Sequence, residues 1–202
     1  MAAPFQLVAG HVALDFVNTL DNRYDPERRI DLLPSYARFI AFVRQSGILT
    51  APQARRLVRA APPAAARAAH HRAIELRETL HSLFRAVREG RRPHRESLNT
   101  LNRVLAEAAL ARGIDCGNGH FRWAGPDPAA TPSAPLLILA SAAADLLTSA
   151  DLASLRECGA PACRWLFLDH SKNHSRRWCD MKVCGNRAKA QRFHARQREV
   201  AG

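Results

Sequence analysis

Four of the five cysteines fall in two pairs, Cys158-Gly-Ala-Pro-Ala-Cys163 and Cys179-Asp-Met-Lys-Val-Cys184, each with four residues between its sulfurs and with residues 164–178 between the pairs. A tetrahedral zinc site takes four thiolates at about 2.3 Å, and two short knuckles joined by a hairpin or short loop supply them without long-range assembly. Closed sulfur coordination leaves no position for a substrate, so the spacing predicts one structural Zn²⁺ on Cys158, Cys163, Cys179 and Cys184. The commoner knuckle has two intervening residues, and independent buried thiols or disulfides are the competing readings. An odd cysteine total, and a start from Met1 to Gly10 without a basic segment followed by a long apolar one, speak against disulfides. His170 and His174 could each replace a sulfur, but the repeated spacing favours the cysteines and leaves the histidines to solvent or phosphate. A module of roughly fifty residues can barely bury a core, so metal ligation would supply the folding energy that packing cannot.

The charge pattern points the same module at a polyanion. The chain has 30 Lys and Arg against 18 Asp and Glu, and the last 52 residues carry 11 against 5, half of the +12 excess. Beyond Cys184, residues 186–200 contain no Pro or Gly and are rich in Ala, Arg and Gln, which predicts a helix continuing from the second knuckle. At about 100° per residue Lys189, Arg192 and Arg196 share one side, Arg187, His194 and Arg198 another, and Ala190 and Phe193 lie between to pack on the metal core. With Arg176 and Arg177 before Cys179, and Arg164, Lys172 and Lys182 nearby, these residues suit phosphates and base edges of nucleic acid, double-stranded DNA first. Four thiolates and one Zn²⁺ sum to −2, so Arg187 serves equally well as a neutralising neighbour of the cluster. Trp165 and Trp178 read as shields for the metal, and Asp169 and Asn186 as turn or cap residues.

The remaining 150 residues read as helical. Apolar stripes of period 3.6 run through Tyr36, Phe39, Ile40 and Val43, through Ala73, Leu76, Leu80, Leu83, Phe84 and Val87, and through Leu98, Leu101, Leu105 and Ala108. A fourth helix spans about Pro135 to Ser149, starting at Ser133. Pro34-Ser35, Thr50-Ala51-Pro52, Pro62-Pro63, Gly90 to Pro93 and Gly113 mark breaks. Strand signal is confined to Phe5–Val8 and Gly119–Trp123, which the pattern allows to pair. The fold class is therefore mainly α with a small β component (α+β): a helical domain over 1–150, then a zinc module over 151–202 with treble-clef- or ribbon-like knuckles followed by a helix. No run approaches the roughly 20 apolar residues of a membrane span, which together with the start of the chain predicts a cytoplasmic protein without membrane partners. No GxSxG, P-loop, HExxH or GxGxxG pattern occurs, so no enzyme is expected.

Near the start, Asp15, Asn18 and Thr19 interrupt the apolar Val12, Leu14, Phe16, Val17 and Leu20 at spacings that share one face of a helix. A buried polar row must be hydrogen-bonded, either to neighbouring elements or to a small polar effector. His11 and Arg23 flank it, so His11, Asp15, Asn18 and Arg23 are the candidate effector pocket. His70, His71 and His81 are expected on the exposed side of the long helix, and the lone Cys116 as a small core residue.

Cys184-Gly185-Asn186-Arg187, with Arg176-Arg177-Trp178-Cys179 and Trp165-Leu-Phe-Leu-Asp169 before it, resembles the bacterial CGNR zinc finger. Ala13-Leu-Asp-Phe-Val-Asn-Thr-Leu20 is similar to the opening of the ABATE domain that accompanies this finger in proteins described as stress-induced transcription regulators. The resemblance implies a zinc-stabilised, DNA-binding regulator whose N-terminal domain senses an effector or forms a homodimer. An acidic protein partner for the finger, RNA in place of DNA, or a small-metabolite enzyme with an accessory finger are the alternatives.

Overall fold

A computed structural model of the chain describes residues 4–190, 193 and 197. Six helices form its body: α1 (Val12–Val17), α2 (Tyr36–Gln45), α3 (Ala51–Ala60), α4 (Pro63–Arg88), α5 (Arg95–Leu110) and α6 (Ala134–Thr148). Their starts follow local chemistry. The Ser35 hydroxyl accepts the Arg38 N–H at 3.3 Å, and Thr50 and Gln53 form a reciprocal capping box. The long α4 packs against α1, α2, α5 and α6 and presents Leu76, Leu80, Leu83 and Phe84 to them. Phe16 of α1 meets Phe39 and Phe42 of α2 with ring centroids 6.2 and 5.7 Å apart. Each such side chain contributes about 1.5–3 kcal/mol on burial. No helix among the described residues is long and apolar enough to cross a membrane.

The sequence predicts four of these helices. α3 escapes it because only Ala54 and Leu57 of its ten residues are buried, too few to form a stripe. On α4 the histidines depart from expectation. His71 is exposed, but His70 reaches the Leu33 carbonyl at 2.8 Å and His81 the Tyr24 hydroxyl at 3.1 Å.

Three two-stranded antiparallel ribbons complete the described fold: β1 (Leu20–Asp21) with β2 (Ile30–Asp31), β3 (Gly113–Gly117) with β4 (His120–Ala124), and β5 (Leu155–Glu157) with β6 (Leu166–Leu168). The expected pairing of Phe5–Val8 with Gly119–Trp123 does not form. The side chain of Gln45 takes both backbone polar groups of Phe5, accepting its N–H at 2.8 Å and donating to its carbonyl at 2.6 Å, so that segment joins no ladder. β4 instead folds back on β3 through Asn118 and Gly119, both at positive φ (53° and 77°), the two-residue turn that matches strand twist. Cys116 lies on this hairpin and is exposed, not in the core as its sequence context suggested.

The division near residue 150 does not separate two cores. Leu155, Leu166, Phe167 and Leu168 belong to the same buried cluster as Phe16, Leu76 and Leu139. The Leu168 N–H donates to the Ala9 carbonyl at 2.8 Å, and the Asn18 amide grips Leu166. Packing against α1 and α4 thus shares with any metal the task of ordering the C-terminal module.

Candidate metal centre

The first cysteine pair sits at the tip of the β5–β6 hairpin. Beyond the Glu157–Leu166 pair, the Cys158 N–H donates to the Trp165 carbonyl at 2.8 Å. The Ala160 carbonyl then accepts from Cys163 and Arg164 at 2.9 and 3.1 Å, which curls the chain so that both sulfurs point one way. Arg164 closes this knuckle at φ 52°. Its guanidinium pairs with Glu157 and lies over the Tyr24 ring, 4.2 Å from the centroid.

The second pair spans a wide helical turn, Met181–Gly185, that opens into a helix over 186–190. The Asp180 carboxylate caps it by accepting the Lys182 N–H at 2.6 Å, and its carbonyl receives both Cys184 and Gly185 N–H groups at 3.0 and 3.1 Å. Gly185 is buried against this turn. A Cβ there would meet the flexible Met181 side chain, which would have to swing aside. The loop 169–178 between the pairs is organised by the buried Asp169. Its carboxylate accepts from the Ser171 hydroxyl, the Ser171 N–H and the Arg176 N–H, contacts that hold its pKa down at about 2. The Gly159 N–H finally ties the first knuckle to the Arg177 carbonyl at 2.8 Å. Hairpin knuckle plus helix-start knuckle is a treble-clef arrangement.

These two turns bring the sulfurs of Cys158, Cys163, Cys179 and Cys184 within 4.8 Å of one another, all buried and none disulfide-bonded. Cys163 and Cys179 sulfurs are 3.6 Å apart, Cys179 and Cys184 sulfurs 3.7 Å. Zinc–sulfur bonds of about 2.3 Å place the corners of a tetrahedron about 3.8 Å apart, whereas a disulfide needs about 2.05 Å. The hydrogen bonds fit thiolates. Backbone N–H groups of Cys179 and Ala160 aim at Cys158, and that of Trp165 aims at Cys163, each favouring the ionised sulfur. Without a cation the four cannot all ionise. Hydrogen bonding with Cys163 and Cys179 holds the Cys158 thiol low, its pressure on Cys163 and Cys179 pushes theirs up, and burial pushes Cys184 up. One divalent cation resolves this conflict.

A further sign lies at the edge of the cluster. The Trp165 indole N–H is buried with no hydrogen-bond partner, the one such side-chain atom among the described residues. Trp165 shares a recess of about 220 Å³ with Cys163, Cys179 and Cys184, and Asn22 and Arg187 also line it. Donor set, burial and spacing together suit a single structural zinc ion; His170 and His174 lie outside the set, and the His174 ring nitrogen Nδ1 contacts the Asp169 carbonyl at 2.9 Å.

Residues 154–197 match the model of the CGNR zinc finger, and residues 10–150 match that of ABATE, described as a "putative stress-induced transcription regulator". The chain belongs to the ABATE family. No curated protein matches it.

The ABATE segment Asp15 to Thr19 is the seam between the two parts. The Asp15 carboxylate accepts the Ala9 N–H at 3.0 Å, and burial pushes its pKa up to about 6. The Asn18 amide binds Leu166, and the Thr19 hydroxyl donates to the Phe16 carbonyl at 2.6 Å. His11 caps α1 by accepting the Ala13 N–H at 3.2 Å, and Arg23 pairs with Glu78 on α4. Thus the four effector candidates point to four different partners. A cleft of about 540 Å³ lies elsewhere in the ABATE domain, between α5 and α6, where Leu105, Ala108, Arg112, Ile138 and Asp145 line it.

On the finger, Arg177, Arg187 and Lys189 are exposed, as are Lys172 and Lys182. None of the five forms an ion pair among the described residues. Arg176 is different. Its guanidinium stacks on the Phe167 ring at 4.5 Å and donates to the carbonyls of Trp178, Cys179 and Val8, so it is engaged in holding the loop. Arg192 and Arg196 lie outside the described residues. Sequence reasoning also missed Arg77, which α4 buries at 2% exposure against Asp31, at 2.7 and 2.8 Å.

Proposed function

We propose that the protein is a zinc-stabilised transcription regulator that binds double-stranded DNA through its finger, while the ABATE domain senses an effector or dimerises. The observation that carries this reading is the set of exposed cations without an ion pair among the described residues, Lys172, Arg177, Lys182, Arg187 and Lys189, around a buried cysteine cluster whose neighbouring arginines, Arg164 and Arg176, are already engaged. The metal orders the knuckles, the wide turn at Met181–Gly185 sets the direction of the helix that follows, and the exposed cations meet phosphate oxygens. In this role the protein works in the cytoplasm and catalyses no reaction. An effector for the ABATE domain has room in the cleft between α5 and α6.

Titration of the zinc-loaded protein with duplex DNA at several salt concentrations tests the reading. Log affinity is expected to fall against log salt with a slope of about −0.9 per phosphate contact. Cys179→Ser abolishes binding by losing the metal, and Lys189→Ala/Arg192→Ala/Arg196→Ala flattens the slope. Absence of salt-dependent binding to any duplex contradicts the proposal.

A further inference from the structure

Large apolar side chains stand in solvent where the β3–β4 hairpin leaves the helical body: Leu110, Ile114, Phe121 and Trp123 are 88%, 59%, 79% and 67% exposed. Three of them share one face. Ile114 pairs with Trp123 and Cys116 with Phe121 across the ladder, and side chains alternate between faces along each strand. The opposite face carries Asp115 and Arg122, cross-strand neighbours joined by an ion pair. The hairpin is therefore amphipathic, with its apolar side outward. A lone two-stranded ribbon is marginal in water, and covering one face is what stabilises it.

We propose that this apolar face is the interface of a symmetric homodimer, in which the β3–β4 hairpins of two chains pack face to face about a two-fold axis. It deepens, and rests on, the dimerising role of the ABATE domain. Size favours it. Ile114, Phe121 and Trp123 expose on the order of 450 Å² per chain, within the range of the largest patch on a monomer and about half of the roughly 800 Å² per partner of a standard interface, and Leu110 at the end of α5 is exposed as well. Arg112, whose guanidinium lies 4.9 Å from the centre of the Trp123 ring, extends the same surface. Charge selects the occupant. Arg122 is neutralised by Asp115 and Arg112 is the one other Arg or Lys between residues 112 and 124, so the hairpin lacks the cation density that phosphates require. A ribbon standing out from the body does not enclose a small molecule. A second copy brings the same apolar ribbon, and two such faces pack as stacked sheets about 10 Å apart in an isologous contact.

Sedimentation equilibrium of the full zinc-loaded chain, from micromolar to sub-millimolar concentration, tests this. Wild type is expected to reach twice the chain mass at the upper end. Phe121→Ser/Trp123→Ser and, separately, Ile114→Glu are expected to stay at the chain mass throughout, with zinc content and helical circular dichroism unchanged because these side chains are exposed in the single chain. Cys116 gives a second readout: its alkylation slows with rising concentration in wild type and not in the variants. A wild type that remains at the chain mass, whatever else the hairpin captures, overturns the proposal, as does a dimer that persists in both variants. Duplex titration of the same proteins keeps the two readings apart, since failure of DNA binding removes salt-dependent association from all of them and leaves the masses unaffected.

Discussion

Asn18 donates from its amide nitrogen to the Leu166 carbonyl at 2.9 Å and accepts the Leu166 N–H at 3.0 Å, so the side chain that follows α1 completes the outer edge of β6. It joins the ABATE domain to the finger across 148 positions of sequence. Asn18→Ala leaves two buried backbone groups unpaired and is expected to cost about 2–4 kcal/mol in chemical denaturation. Asn18→Asp keeps the acceptor but loses the donor, and is expected to fall between the two. Equal stability of Asn18→Ala and wild type contradicts the role given to this contact.

Arg77 makes a similar junction inside the ABATE domain, holding Asp31 at the end of the β1–β2 ribbon with two hydrogen bonds. Burial pushes the Asp31 carboxyl up, but the Arg77 hydrogen bonds and charge outweigh it and hold the pKa below the usual carboxylate range. Stability from this pair is present above pH 4 and is lost as the pH falls through the lowered pKa. Asp31→Asn leaves the guanidinium with Glu78 as its remaining charged partner, and a loss of about 1–3 kcal/mol at pH 7 is expected. A thermal scan showing no loss overturns that assignment.

How much of this was legible beforehand depends on whether a residue's role follows from its neighbours in sequence. The four metal ligands do, because thiolate chemistry and knuckle spacing are local. So do α2, α4, α5 and α6, whose stripes repeat every 3.6 residues. Arg77 does not: it adjoins Leu76 in an apolar stripe, and its partner on β2 is 46 residues away. Phe5–Val8 has strand composition, yet Gln45 of α2 satisfies Phe5 from the side. Arg176 shows a role that charge does not reveal. Charge alone points it at nucleic acid, and in the fold its guanidinium also donates to the carbonyls around the second knuckle. The row Asp15, Asn18, Thr19 was recognisable as buried and polar, but its partner Leu166 could be found only in three dimensions.

His81 lies on α4 beside Tyr24, and burial, with the nearby charge of Arg23, lowers its pKa to about 4. The fold therefore favours the neutral ring. Its contribution is fully present above pH 6.5 and is lost as the pH falls toward 4, where the unfolded chain takes up a proton first. His81→Gln retains a hydrogen-bonding group for Tyr24 without this titration. Between pH 7 and pH 5 wild type is expected to lose about 1–2 kcal/mol more than the variant, measured with zinc bound in both. A difference in melting temperature that stays constant over this range contradicts it.

Trp165 tests the surroundings of the metal. Trp165→Phe keeps the packing over the cluster and removes its buried, unpartnered N–H. Zinc affinity, read by competition with a chromophoric chelator, is expected to fall about 10-fold. Unchanged affinity assigns the indole to shielding alone.

The central claim is that Cys158, Cys163, Cys179 and Cys184 hold one zinc ion in closed coordination. X-ray absorption of the purified, zinc-loaded chain addresses it directly. The account predicts one zinc per chain surrounded by four sulfurs at about 2.3 Å, with no nitrogen or oxygen neighbour. A shell containing a histidine nitrogen or a water oxygen, or a protein that binds no zinc, would contradict it.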